Sequence, residues 1–334
     1  MGLACLVFPG ANHTRFEHSL GVMHVADVLG RNLLEASDDG LDENRIQEIR
    51  LAALLHDVGH TPFSHVVEEF FKRYPKYVPK AERYDHEQYA IKIINDSKIK
   101  ETCEDVSIDL SFVSKLAVGK SGTYLDPLIS SCLDADKIDY IIRDSYYCGL
   151  PYGNVDLFSL SEGIRLTELD QDDKCISFDE SSRDAAEGLL TSRFYLMTTV
   201  HLHERNCAAN LLLFKAIAEA YDYILQLTAD SDQESVLGFL ARDMHFTWVD
   251  HDLITFLKDP LEPLRLSALR SVKGSDKSIT SVLESLSNKM SQERKECRSS
   301  LLLDRVLTSR VPAASLSYPL TYFSPAARYG LYLV

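Results

Sequence analysis

Histidines and a carboxylate crowd one short stretch of this sequence, "LLHDVGHTPFSH", residues 54–65. His56 and Asp57 are adjacent, His60 follows, and His65 closes the run. A mixed set of imidazole and carboxylate donors suits a divalent cation such as Mn, Fe, Co, Ni, Zn or Mg. Adjacent residues do not share a helix face, so His56 and Asp57 reach a common ion only where the backbone turns at a helix end. Further ligands must come from elsewhere. His18, in "TRFEHSLGV", and Asp136, in "SSCLDADKIDYIIRDSYYCGL", are the candidates. In the second segment Asp136, Tyr140 and Asp144 recur every fourth residue, one helical stripe with Lys137 beside it, and Ala135, Ile138 and Ile142 form the opposing apolar stripe. Singly, each has an ordinary explanation, since "HD" is a common dipeptide and a helix-end histidine often caps a carbonyl. The four together describe a metal site with positions open to water and substrate.

The elements that must position these residues read as helices. Thr14-x-x-Glu17 is a capping box, and the helix it opens runs to about Ala36. A second helix, about Glu43 to Asp57, keeps Ile46, Ile49 and Ala53 on one face. Thr61-Pro62 reads as N-cap and first residue of a third helix reaching about Tyr74. "YPKYVPKAERY" reads as a loop, and Asp85-x-x-Gln88 as another cap. Asp126-Pro127 predicts one long helix closing near Cys148-Gly149, with Asp136 in its middle. Residues 165–180 suit a hairpin or loop, and Ser182 to about Leu227 suits two long helices or one bent one. The expectation is a mainly α fold. Residues 1–227 would form a helical core and 228–334 a mostly helical C-terminal region, with an atypical tail from about residue 311 whose one charged side chain is Arg328.

Composition narrows the function. The chain has 334 residues, 45% of them hydrophobic, and a formal charge of −15. Such a charge repels nucleic acid on average, so nonspecific duplex binding is a poor fit, and an anionic substrate needs a local basic pocket. No apolar run reaches the ~18 residues that cross a bilayer. The first residues lack a signal-peptide pattern. Seven scattered cysteines contain no C-x-x-C pair, which argues against a disulfide framework or zinc ribbon and fits a reducing cytoplasm.

The segments "VFPGANHTRFEHSLGV", "LLHDVGHTPFSH", "YDHEQ", "LDADKIDYIIRDSYYCG" and "SRFYLMTTVHLHE" span residues 7 to about 204. Together they resemble the HD superfamily of metal-dependent phosphohydrolases, and within it the dNTP triphosphohydrolase branch of dGTPase-like and SAM-and-HD-domain enzymes. The resemblance implies an HD-domain helical bundle with one divalent metal on His18, His56, Asp57 and Asp136, and Mg accompanying the substrate phosphates. Asp134, two residues before Asp136, should point elsewhere. It further implies that His60 and His65 lie near the α-phosphate, that His86 is a proton donor paired with Glu68, and that Arg15, Lys137 and Arg193 bind phosphate. Tyr140 and Asp144 would line the sugar.

The implied reaction converts a dNTP to deoxynucleoside and inorganic triphosphate, and the implied state is a homo-oligomer, dimer or higher; composition, as above, adds that no membrane is a partner and that nucleic acid is a poor fit. In relatives a stretch with a glutamine that touches the sugar 3′-hydroxyl precedes the segment matching "VFPGANH", and almost nothing precedes it here. The tail after about Arg310 does not follow the family pattern. His201 sits where relatives often carry an aromatic residue, and His13, His24, His201 and His203 receive no role. Rival expectations are an HD-type nucleotidase or phosphodiesterase and, from another class, a nucleotide-sensing or scaffold protein with a degenerate site.

Overall fold

The computed structural model describes residues 2–36, 41–83, 85–95, 98–103, 108–168, 174–229, 233–246 and 248–258. The tail from about residue 311 lies outside them. The described residues are mainly α-helical, as expected. The first long helix, α1 (Arg15–Ala36), begins at its capping box. Thr14 N–H and Oγ1 donate to Glu17 Oε2 at 2.6 and 2.9 Å, and Glu17 N–H donates back to Thr14 Oγ1 at 3.2 Å. The next helix, α2 (Glu43–Leu55), is capped by Asp42, which accepts from the Arg45 N–H at 2.8 Å. It ends two residues short of Asp57, so His56 is its C-cap and Asp57 lies in the turn beyond.

The third helix, α3 (His65–Arg73), does not start at Thr61-Pro62. Residues 61–64 instead form a turn closed by the Ser64 N–H to the Thr61 carbonyl at 2.8 Å. Phe63 and Ser64 take φ of 50° and 49°, a region that side-chain-bearing residues rarely visit and that a right-handed helix does not contain. The expected loop after α3 holds two short 3-10 turns, Pro75–Tyr77 and Lys80–Glu82. Then α4 (His86–Asn95) starts at the Asp85–Gln88 pair, where Gln88 N–H donates to Asp85 Oδ1 at 2.9 Å. Two short helices follow, α5 (Lys98–Cys103) and α6 (Leu110–Leu116).

The long helix expected from Asp126 is broken. Its first part, α7 (Asp126–Ile129), is a single turn, and Asp134 restarts the chain as N-cap of α8 (Ala135–Cys148). The Asp134 carboxylate accepts from the Ser131 and Lys137 N–H groups, each at 2.7 Å. Asp136 is therefore in the first turn of α8, not mid-helix. Gly149 closes α8 at φ 67°, a left-handed cap that glycine adopts without a Cβ clash.

After α9 (Leu157–Glu162), β1 (Ile164–Glu168) and β2 (Lys174–Phe178) form an antiparallel hairpin with Ile164 opposite Phe178. Two long helices, α10 (Arg183–Leu196) and α11 (Glu204–Leu227), are joined through a π-helical turn at Met197–His201. The described chain ends with α12 (Gln233–Phe246) and α13 (Asp250–Lys258). Among the described residues no helix is long and apolar enough to cross a membrane.

Two apolar clusters hold these elements. One packs Val22, Val25 and Leu29 of α1 with Ile46, Ile49 and Ala53 of α2 and Ile138 and Ile141 of α8. The other packs Phe63, Val67 and Phe70 with Leu213 and Tyr221 of α11, Leu240 of α12 and Phe256 of α13. Each fully buried Val, Leu, Ile or Phe among them contributes about 1.5–3 kcal/mol. Val58 still packs against the first cluster and Phe63 belongs to the second, so the histidine-rich stretch bridges them.

Candidate active site

His18 is the fourth residue of α1, His56 and Asp57 follow the last turn of α2, and Asp136 opens α8. The three elements bring all four side chains together. His18 Nε2 lies 3.1 Å from Asp136 Oδ1 and 3.9 Å from Asp57 Oδ2. His56 Nε2 lies 3.3 Å from Asp57 Oδ1 and 3.7 Å from Asp136 Oδ1. Each imidazole has its other nitrogen engaged. His56 Nδ1–H donates to the Ala53 carbonyl at 2.8 Å, and His18 Nδ1–H donates to Asp139 Oδ2 at 2.7 Å. Such partners fix the ring and turn its Nε2 into the cluster.

His56 Nε2 is buried without a hydrogen-bond partner, a condition that costs about 1–3 kcal/mol unless a ligand relieves it. Two imidazole nitrogens and two carboxylates fit a divalent cation. The ligand atoms of His18, His56 and Asp136 lie within 4.8 Å of one another, close enough to share one. Burial opposes charge on Asp57 and Asp136. For Asp57 the attraction of His56 and Arg15 outweighs it, and for Asp136 the hydrogen bond of His18 and the nearness of His56 do, so both stay below the usual carboxylate range. Burial likewise opposes charge on His18, yet Asp136 and Asp139 push it up to about 10. The pocket draws positive charge.

Asp139 is itself clamped, accepting from Arg143 Nε at 2.9 Å and Nη2 at 2.8 Å. Its approach to α1 requires Gly21, where a Cβ would stand 1.8 Å from Asp139 Oδ1.

A second cluster adjoins the first. His60 Nε2 lies 3.3 Å from Asp57 Oδ1, and the His60 ring stacks on that of His86 with centroids 4.1 Å apart and planes at 9°. Glu68 Oε2 accepts from His86 Nδ1 at 3.1 Å and His65 Nδ1 at 3.3 Å, and Oε1 accepts from Lys72 Nζ at 2.7 Å. The His60 side chain is 5% exposed, that of His65 65%. Burial pushes His60 down to about 3, so it is neutral. Burial also opposes charge on His86, but its hydrogen bond to Glu68 prevails and raises it. Glu68, despite burial, is held below the carboxylate range by His65, His86 and Lys72. His60, Glu68 and His86 also have ligand atoms within 4.8 Å of one another. Rings stacked face to face point their in-plane lone pairs side by side, however, which suits proton handling better than convergence on one ion. Gly59 makes the stack possible, since a Cβ there would lie 2.0 Å from the His86 carbonyl oxygen and 2.4 Å from Ala90 N.

The basic residues border these clusters. The Arg15 guanidinium donates to Asp57 Oδ2 and Ser64 Oγ. Lys137 Nζ donates to Asp134 Oδ2 at 2.6 Å, so Asp134 is spent on the helix start and on Lys137, away from the quartet as expected. Tyr140, one turn beyond Asp136, hydrogen-bonds Arg193 of α10. Asp144 accepts from His13 Nε2 at 2.8 Å and faces His201 Nε2 at 3.4 Å.

A family model described as "HD domain" matches residues 15–144, the span from Arg15 through the quartet to Asp144. Residues 15–144 are an HD domain. Its relatives include the uncharacterized protein YwfO of Bacillus subtilis, 34% identical over 226 residues, which is 66% of this chain and 48% of the relative. An uncharacterized Mycoplasma pneumoniae protein, the MG461 homolog, is 30% identical over 235 residues, 67% of this chain and 52% of the relative. The deoxynucleoside triphosphate triphosphohydrolase SAMHD1 of Homo sapiens is 27% identical over 260 residues, 67% of this chain and 40% of the relative. The chain spans about half the length of the curated relatives it matches.

Several residues that matter to this geometry were not singled out by sequence. Asp139 orients His18; its signal was its place three residues after Asp136, on the same side of α8, with Arg143 four residues further on. His13 and His201, given no role, both flank Asp144. His245, from α12, reaches the Gly59 carbonyl, and nothing local in the sequence marks it.

Proposed function

We propose that this HD-domain protein is a metal-dependent phosphohydrolase that cleaves dNTPs at the α-phosphate, releasing deoxynucleoside and inorganic triphosphate. The observation that carries the reading is the convergence of His18, His56, Asp57 and Asp136, with His56 Nε2 buried and unpartnered. The substrate class is supported by the activity in the names of the SAMHD1 relatives and by Arg15 against Asp57, Lys137 next to Asp136 in α8 and Arg193 against Tyr140. The quartet would hold one ion of Mn, Fe, Co, Ni, Zn or Mg, and Mg would accompany the substrate phosphates. When bound, the ion supplies Lewis-acid polarisation and lowers the pKa of coordinated water.

The chain's own residues do the rest. Arg15, Lys137 and Arg193 offset charge on the triphosphate, an effect that grows as water is excluded. Water adds to the α-phosphorus and the bond to O5′ breaks. His86 delivers its proton to that oxygen, and Glu68 sustains the charge on His86 beforehand. His60, neutral and between Asp57 and His86, and His65, at the exposed edge, attend the phosphate. Tyr140 and Asp144 face the sugar. A homo-oligomer is the proposed state, measurable by light scattering.

Incubating metal-loaded protein with dNTPs, NTPs and dNMPs tests the reading. Equimolar deoxynucleoside and triphosphate is the expected product pair. Orthophosphate from a monophosphate would replace the reading with an HD-type nucleotidase, and nucleotide binding without turnover would replace it with a sensor.

A further inference from the structure

The stretch from Gly59 to Ser64 carries His60 and includes two residues in left-handed backbone conformation, Phe63 and Ser64. Conformations of this kind persist only where surrounding structure holds them. Two side chains from the far end of the described chain supply that hold. Asp250, the first residue of α13, accepts the Phe63 N–H at 2.8 Å. His245, in α12, donates its Nδ1–H to the Gly59 carbonyl at 2.9 Å. The His245 side chain is enclosed, and its ring lies flat on Tyr89 of α4, with centroids 3.5 Å apart and planes at 13°. Burial pushes His245 down to about 4, so near neutrality it is uncharged and its ring N–H serves the carbonyl. Tyr89 is three residues after His86, and Gly59 packs against the His86 and Ala90 backbone. One imidazole therefore ties the loop that bears His60 to the helix that bears His86.

We propose that His245 is a positioning residue: from outside the matched HD span it fixes the Gly59 carbonyl and so the stacking of His60 on His86. The assignment rests on the phosphohydrolase reading for its kinetic consequence, but its structural consequence is separate. His245→Phe keeps a ring against Tyr89 and removes the donor. His245→Asn gives up the ring and restores a donor near the position of Nδ1. A misplacement of about 1 Å at a reacting group costs up to about 100-fold in rate.

Full-length metal-loaded protein should therefore lose about 10- to 100-fold in kcat in the Phe variant, with KM and metal content unchanged and much of the rate regained in the Asn variant. NMR of the histidine rings provides a readout independent of turnover. The Phe variant should lose the slowly exchanging His245 Nδ1–H resonance and shift the ring signals of His60 and His86 while remaining folded. A wild-type kcat with unmoved His60 and His86 signals in the Phe variant overturns the proposal. So does a Phe variant that matches wild type while the Asn variant fails, because the stacked ring alone would then matter. If wild-type protein hydrolyses no nucleotide yet the ring signals shift as described, the positioning role stands and the phosphohydrolase reading falls.

Discussion

The quartet and the histidine–glutamate cluster beside it use the same chemical vocabulary in opposite ways. In the quartet each histidine is tied at Nδ1 to a fixed acceptor and presents Nε2 to carboxylates, so the pocket is built to receive positive charge. In the adjoining cluster a single carboxylate, Glu68, serves His65, His86 and Lys72, and the histidine farthest from it in character, His60, is kept neutral by burial. Asp57 joins the two, with one oxygen 3.3 Å from both His56 Nε2 and His60 Nε2. Partners and burial, not residue type, set what each imidazole offers its neighbours.

Removing the shared residue should have the largest effect. Asp57→Ala is expected to abolish metal binding and turnover together, as measured by elemental analysis and product assay. Full activity in the metal-free variant would dissolve the distinction between the clusters. His86→Gln should separate them: kcat falls about 10²- to 10⁴-fold, as for loss of a general acid, while one metal per chain remains. Asp139→Asn should weaken the metal about 10- to 100-fold by loosening His18, which a chelator titration would read.

A smaller effect concerns pH. Glu68 raises the pKa of His86, so the protonated acid is present at low pH and lost as pH rises through the folded-state value. Activity should decline on that alkaline limb, and Glu68→Gln should move the limb to lower pH; an unmoved limb would assign the titration to another group. The smallest change expected is from Thr14→Ala, which removes one half of the capping box of α1. It should cost about 1 kcal/mol of stability in urea unfolding and leave product identity unchanged.

Much of this organisation could be read from sequence where the signal was local. Both D/T-x-x-E/Q caps formed as expected, and the stripe Asp136–Tyr140–Asp144 emerged because four-residue spacing fixes one side of a helix. The break between α7 and α8 was missed because apolar residues continue through Leu128, Ile129 and Leu133. The deciding event was the Asp134 carboxylate capturing the Ser131 and Lys137 N–H groups, a competition that periodicity does not reveal. Thr61-Pro62 resembled a helix start, but the Phe63 N–H is taken by Asp250 and the turn is locked. His13, His201 and His245 drew no role from the sequence for one reason. Their partners are 57 to 186 residues away, and a hydrogen bond across that separation leaves no mark on local pattern.

Anomalous diffraction from crystals grown with Mn tests the central claim most directly. A single peak bonded to Nε2 of His18, Nε2 of His56 and the carboxylates of Asp57 and Asp136 is the predicted result. A peak held instead by His60, Glu68 and His86, or no peak at saturating Mn, would contradict it.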